Sequence, residues 1–248
     1  MYLIKTEFVK LRRCNILWVG IITLLCAPLL SILQQQSLND PVDNYGYVNL
    51  VNGTIWNNMS FFLPVTLMLL GGYMISREYT DDTLKEIFII PLSYSKLMAG
   101  KIGALLILSV FYSFYSFVLT TGLSILFYPI GLTGIAIIKA LLQICGMGLC
   151  ICISIMPFIC WSGSAKNRFW VGTVLVFVYG ILGIPLAGHG FQDYYPISAG
   201  LSIIQYSGDT GSAISNIHPV IAGITLLATL VLSCLLYTSD AADEGLGV

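Results

Sequence analysis

Six stretches of this sequence are continuously apolar over lengths that can cross a lipid bilayer. A helix needs about 20 predominantly apolar residues to span the hydrocarbon core. The segments that reach this length are roughly 15–34, 58–76, 102–128, 134–161, 169–187 and 219–237. Inside a bilayer only helices and closed barrels satisfy their own backbone hydrogen bonds, and barrel strands alternate polar and apolar residues. Because these runs do not alternate, we predict an all-α integral membrane protein with six transmembrane helices.

The charge content agrees with a surface that faces lipid. Only 9% of the residues are charged and 57% are hydrophobic, whereas a soluble domain has about 25% charged residues. We therefore predict a single transmembrane domain over residues 1–237. The tail 238–248, TSDAADEGLGV, is acidic and resembles translated sequencing-adapter read-through. We expect the sequence from about Leu235 onward not to be native and assign it no function.

The basic residues predict the orientation of the chain. Lys and Arg are enriched in cytoplasmic loops, and ten of the eleven fall on one side of the six spans: Lys5, Lys10, Arg12, Arg13, Arg77, Lys85, Lys96, Lys101, Lys166 and Arg168. We therefore expect this side, with both termini, to be cytoplasmic. Lys139 is the exception. It lies about one turn into the fourth span near the outer face, where its side chain can reach the headgroups.

Two segments outside the spans have helical patterns. Met1, Ile4, Phe8 and Leu11 recur at helical spacing among basic residues, which predicts an N-terminal amphipathic helix in the inner interface or a basic anchor that fixes topology. Near the outer face, the apolar stretch Ile197–Ile204 is too short to span the membrane. We interpret it as a re-entrant or interfacial helix.

A compact polar segment, residues 76–101, interrupts the apolar runs on the predicted cytoplasmic side. Thr83 and Glu86 have the spacing of a capping box, which predicts a helix start. Pro91 ends that helix, and its apolar stripe consists of Leu84, Ile87 and Phe88. The stripe is free either to rest on lipid or on the protein's own spans, or to dock a cytoplasmic partner.

This segment resembles the one that follows the second span in permeases of type-2 ATP-binding-cassette (ABC) exporters. The matching residues are Glu78, Tyr79, Thr83, Leu84, Lys85, Pro91, Ser93 and Lys101, while Asp82 stands where the family often has Gly. The resemblance implies that the segment is the cytoplasmic coupling helix, which contacts the ATPase subunit. The implied partner-binding residues are Glu78, Thr83, Leu84, Lys85, Glu86, Ile87 and Phe88.

The resemblance also implies a function. The chain would be the permease subunit of an ABC exporter in the bacterial plasma membrane, with an ABC ATPase subunit and a second permease chain, identical or related, as partners. It would move an amphipathic or apolar cargo outward, such as a peptide antibiotic, a drug or a lipid. The chain would bind no cofactor itself, because ATP and Mg²⁺ belong to the ATPase. Its small size resembles that of permeases of bacteriocin or peptide-antibiotic immunity.

Enzymatic roles find little support in the sequence. There is no G-x-x-x-x-G-K-[ST] loop to bind nucleotide. An intramembrane metalloprotease would use His and Glu together, but His189 and His218 fall on the predicted outer side, away from Glu78. We assign no catalytic residue and no metal ligand.

We also find no ionisable residue at a span centre, as ion coupling usually requires. The alternative function is an ion-independent channel or a structural membrane subunit without an ATPase.

Overall fold

The computed structural model describes residues 2–12, 15–37, 45–80, 94–163, 168–206, 208 and 218–245. Within these ranges the chain forms helices and no strands, which confirms the all-α prediction. The helices are α1 (Tyr2–Arg12), α2 (Ile16–Ser37), α3 (Tyr47–Asn57), α4 (Leu63–Thr80), α5 (Tyr94–Phe127), α6 (Gly134–Gly163), α7 (Arg168–Gly188), α8 (Pro196–Ile203) and α9 (Pro219–Gly245). A π-helical turn, Asn58–Phe62, joins α3 to α4 without interrupting the helical path.

Six helical segments are long and apolar enough to cross a membrane, as predicted. They are Ile16–Ser37, Tyr47–Ser76, Ala99–Phe127, Gly134–Ser162, Phe169–Gly188 and Pro219–Leu236. The second of them begins at Tyr47, whereas we expected it to begin at about residue 58. The reason is that the polar groups of α3 are buried and bonded inside the bundle: Thr54 Oγ1 donates to Leu50 O at 2.8 Å, and Asn57 Nδ2 donates to Ser31 Oγ at 2.9 Å.

The bundle has two ends, which we name by the elements that lie there. We call the end at which α1, the last turns of α4 and the first turns of α5 lie the basal end. The opposite, distal end holds the turn 128–133 and the short helix α8. The backbone N–H of Tyr47 donates to Ile130 O at 2.8 Å, which fixes the start of α3 to that turn.

The short apolar stretch near the distal end is helical, as expected, and forms α8. All its residues from Ile197 to Ser202 are buried, and the helix packs against α6, α7 and α9. A Cβ atom at Gly200 would lie 2.8 Å from both Met147 Sδ and Cys150 Cβ. The absence of a side chain at this position is therefore what lets α8 lie so close to α6.

The core runs along α4, which is surrounded by other helices. Leu63, Leu67 and Met68 are fully buried. Nearer the basal end, α4 has two glycines, Gly71 and Gly72, instead of large side chains. A Cβ at Gly72 would lie 2.8 Å from the Cβ of Phe169 on α7, and one at Gly71 would lie 3.0–3.2 Å from side chains of α5 and α6. Because α4 touches α5, α6 and α7 at such short range, it cannot shift without moving them.

Candidate functional site

The predicted partner-binding residues lie at the break between α4 and α5. Glu78 belongs to the last turns of α4, but its side chain is outside the described part of the structure. The other six, Thr83, Leu84, Lys85, Glu86, Ile87 and Phe88, lie outside the described residues altogether. Their predicted role stays a prediction. What the structure does give is the arrangement of the helices that flank this segment.

A buried lysine joins those two helices. Lys101 lies about two turns into α5 and is only 2% exposed. Its Nζ donates to the backbone carbonyl of Met74 on α4 at 2.9 Å. Met74 lies about two turns before the end of α4, and Lys101 lies about two turns after the start of α5. The contact therefore joins the two helices that flank residues 81–93.

The same ammonium group also contacts the N-terminal helix. Lys101 Nζ lies 3.5 Å from Glu7 Oε2, and the Glu7 side chain is almost as buried as that of Lys101. The other carboxylate oxygen, Glu7 Oε1, lies 3.5 Å from Lys10 Nζ, whose side chain is 45% exposed. We call the contacts among Glu7, Met74 and Lys101 the basal junction. It ties three helices, α1, α4 and α5, at one point.

The orientation of α1 explains why Glu7 is buried. Phe8 packs against the core and Leu11 is buried, while Val9 and Lys10 face outward. On a helix, residues three and four apart share a face, so Glu7 lies on the same face as Leu11. The predicted amphipathic pattern rests on the apolar and basic residues alone and does not include Glu7. The sequence signal for the pair is the one acid of α1, which lies on its apolar face, together with a lysine at the start of the third apolar run.

The electrostatics make the junction sensitive to the loss of either charge. Burying a charge costs several kcal/mol unless it is paired and hydrogen-bonded. Here each charge has the other as a partner, and Lys101 has the Met74 carbonyl in addition. Removing one partner from such a pair typically costs about 3–5 kcal/mol, because it leaves the other charge buried and uncompensated. The junction is thus a fixed connection between helices.

A second polar region lies at the π turn. Asn58 Nδ2 donates to Ser116 Oγ on α5 at 2.8 Å, and Asn57 bonds to Ser31 on α2. On the opposite side, the backbone carbonyl of Ser60 meets Gly180 of α7 so closely that a Cβ there would overlap it. Three helices therefore converge on this turn.

The π turn region also contains unsatisfied polar atoms. Asn58 Oδ1 is buried and has no hydrogen-bond partner, and the same is true of Ser113 Oγ on α5. A buried group left unpaired costs about 1–3 kcal/mol, and π turns occur frequently at functional sites. A polar group that reached these atoms would therefore gain a hydrogen bond.

At the distal end, Asp193 organises the chain between α7 and α9. Its Oδ1 accepts a short hydrogen bond from Ser202 Oγ, and its Oδ2 accepts from the backbone N–H of His218 at 3.0 Å. His189 is exposed, with Nδ1 2.7 Å from Pro185 O. No cluster of three His, Cys, Asp or Glu residues that could hold a metal ion occurs in the described ranges.

The sequence model of the family described as ABC-2 family transporter protein matches residues 3–183. The matched range runs from α1 into α7 and includes all three residues of the basal junction and the segment 81–93. No curated protein and no solved structure matches the chain.

Proposed function

Since the chain belongs to the ABC-2 family of transporter proteins and is a permease subunit of an ABC transporter, we propose that it exports an apolar or amphipathic cargo using ATP hydrolysed by a separate ABC subunit. The family as a whole implies such an ATPase partner. ATP and Mg²⁺ would be bound by that subunit. A second permease chain, identical or related, would complete the membrane-spanning part in the bacterial plasma membrane.

We propose that the ATPase docks on the coupling helix within residues 81–93. The support is the sequence pattern: a helix start at Thr83, and the apolar stripe of Leu84, Ile87 and Phe88. Charged side chains would surround this apolar contact: those of Glu78, Lys85 and Glu86. This assignment requires the basal end to be cytoplasmic, as the distribution of Lys and Arg favours.

The observation that carries the mechanism is the contact of Lys101 with both Met74 O and Glu7. A helix that is pushed by the ATPase moves the chain on either side of it, which is α4 on one side and α5 on the other. Because Lys101 Nζ joins these two helices at 2.9 Å, they would move together. Glu7 adds α1 to the moving unit.

The packing of α4 would carry that motion into the spans. Gly71 and Gly72 bring α4 against α5, α6 and α7 with little free space. Packed interfaces switch between discrete arrangements and do not deform continuously. A shift of the basal junction would therefore change how several spans pack.

The nature of the cargo is proposed from the apolar surfaces of the bundle. A groove of about 550 Å³ between α5 and α6 is lined only by apolar residues, including Val110, Phe111 and Phe114. The described buried charges, Glu7, Lys101 and Asp193, lie near the ends of the bundle. Such surfaces suit a peptide antibiotic, a drug or a lipid better than a hydrophilic ion. The physiological role that we propose for such an exporter is bacteriocin or antibiotic immunity.

The docking step is tested by purification of the tagged chain from its native membranes in mild detergent, with identification of any ATPase that co-purifies. We expect an ABC ATPase with the wild type and with Phe88→Leu, which keeps an apolar side chain. Phe88→Asp and Leu84→Asp should lose the ATPase but still insert in the membrane. Equal recovery with all four chains would contradict the docking assignment. Recovery with none would favour a channel or a structural subunit.

The coupling step is tested with the basal junction in the same preparation. Glu7→Gln should retain the ATPase, because the change lies outside the docking helix. Hydrogen exchange in α4 and α5 should change on addition of ATP in the wild-type complex and change much less in the variant. If Glu7→Gln responds to ATP like the wild type, the junction does not transmit the motion, whatever the outcome of the docking test.

A further inference from the structure

A second groove lies at the distal end, between α6 and the end of α8, with a volume of about 530 Å³. Its walls are aliphatic: Ile138 and Leu142 come from α6, and Ile203 comes from α8. These three side chains are exposed outward from the bundle, where a membrane protein meets acyl chains. The groove thus offers an apolar channel along the side of the bundle.

One cation lies at this groove. Lys139 lines it, is exposed, and makes no hydrogen bond or ion pair with any described residue. It is also the one Lys or Arg in the sequence that falls on the distal side of the spans. Lys139 is five positions after Gly134, the first residue of α6, which places its Cα about 8 Å along the helix. From that depth a lysine extends to the headgroup region while its methylene chain stays in the apolar layer.

The groove is preformed, because contacts within the protein fix its walls. Gln143 Nε2 donates to Ile204 O at 3.1 Å and to Gln205 O at 3.4 Å, which fixes the end of α8 to α6. Gln205 has a positive φ of 52° and turns the chain sharply there. At the floor, a Cβ on Gly146 would lie 3.2 Å from Ile204 Cγ2. A rigid site loses little conformational entropy when a ligand binds.

We propose that this groove binds one anionic phospholipid of the distal leaflet. Its phosphate would accept a hydrogen bond from Lys139, and one acyl chain would lie along Ile138, Leu142 and Ile203. Lys139 favours an anionic headgroup, because a zwitterionic one would bring its own cation next to the lysine. The start of α6 adds the positive end of a helix dipole nearby. A hydrophilic anion is disfavoured by the aliphatic walls.

The proposal is tested by native mass spectrometry of the full chain in detergent, titrated with phosphatidylglycerol and, separately, with phosphatidylcholine of the same acyl chains. We expect the wild type to retain phosphatidylglycerol preferentially. Lys139→Gln should weaken that binding about fivefold, the effect of one basic residue near a lipid phosphate, and Lys139→Arg should keep it. Ile138→Trp should block the groove, whereas Val220→Trp, an equally exposed change on α9 outside the groove, should not.

Three results would overturn it. The first is equal retention of the two lipids by the wild type. The second is unchanged binding of phosphatidylglycerol to Lys139→Gln. The third is an equal loss in Lys139→Gln and Lys139→Arg, which would mean that charge does not matter. Lys139 and Val220 are exposed, so these variants should fold, and circular dichroism of each preparation verifies it.

Discussion

The ammonium group of Lys101 lies 3.5 Å from the carboxylate of Glu7, although the two residues are 94 positions apart in the sequence. The pair is buried between the N-terminal helix and the helix that follows the proposed docking segment. Lys101 also holds the Met74 carbonyl on the helix that precedes that segment. This charge pair therefore connects α1 with the two helices that flank the proposed docking segment.

The two charges should depend on each other for stability. Glu7→Gln and Lys101→Met alone should each lower the free energy of unfolding by about 3 kcal/mol, because each takes away the opposite charge that is buried beside the remaining one. The double variant should lose clearly less than the sum, with a coupling free energy of about 1–3 kcal/mol. Thermal unfolding of the four proteins in one detergent measures this cycle.

Lys10 provides the matched control. It contacts the same carboxylate at the same distance of 3.5 Å, but its side chain is 45% exposed. Exposed ion pairs contribute about 0–1 kcal/mol, so Lys10→Gln should leave the unfolding temperature nearly unchanged. If Lys10→Gln and Lys101→Met lower the unfolding temperature equally, burial does not determine how much the Glu7–Lys101 pair contributes to stability.

A second prediction concerns the contact of Gly180 with the π turn. Gly180→Ala would place a methyl group on the carbonyl oxygen of Ser60, and a backbone atom within a helix cannot easily move aside. We expect a loss of about 1–3 kcal/mol, as for other overpacked cores. Gly122→Ala is the control, since no atom lies within 4 Å of the Cβ it would add. Comparable unfolding temperatures for both variants would contradict the close approach.

The number of spans could be predicted from the sequence because apolar length alone decides it. The start of the second span could not. Residues 47–57 include the polar residues Asn52 and Asn57, and the predicted span begins only after them. Both are buried, and the hydrogen bonds of Asn57 to α2 are visible only once the bundle is assembled. Hydropathy counts polar side chains as exposed even where tertiary contacts satisfy them.

The basal junction illustrates the same limit. In the sequence, Lys101 is one residue of the resemblance and Glu7 is one acid among basic neighbours. The pairing of the two depends on how α1 packs on α5, and no local pattern encodes that. Asp193 is a similar case: its partners, Ser202 and His218, come from different elements.

Asp193 leads to a third prediction. Its carboxylate accepts from Ser202 Oγ and from the His218 N–H at the same time. An amide has one acceptor atom, so Asp193→Asn should leave one of these donors unsatisfied at a cost of about 1–3 kcal/mol. Thermal unfolding should show the loss, while Tyr194→Ala, a change at the exposed neighbouring residue, should have little effect. An unchanged stability of Asp193→Asn would mean that the two hydrogen bonds do not hold α8 and the start of α9 together.

A fourth prediction concerns the orientation of the bundle, on which the docking proposal depends. In the sequence, ten of the eleven Lys and Arg residues fall on the same side of the spans as α1, so the basal end should be cytoplasmic. An epitope inserted after Gly131 should therefore be reached by antibody on intact spheroplasts, and an epitope at the N-terminus only after permeabilisation. Gly131 suits an insertion because it lies in a turn with nothing within 4 Å of a Cβ. Gly190, also open and on the distal side, is the matched second position and should behave alike. The opposite labelling pattern would place Thr83–Phe88 outside the cell, where no ATPase could dock. It would therefore contradict the proposed coupling mechanism.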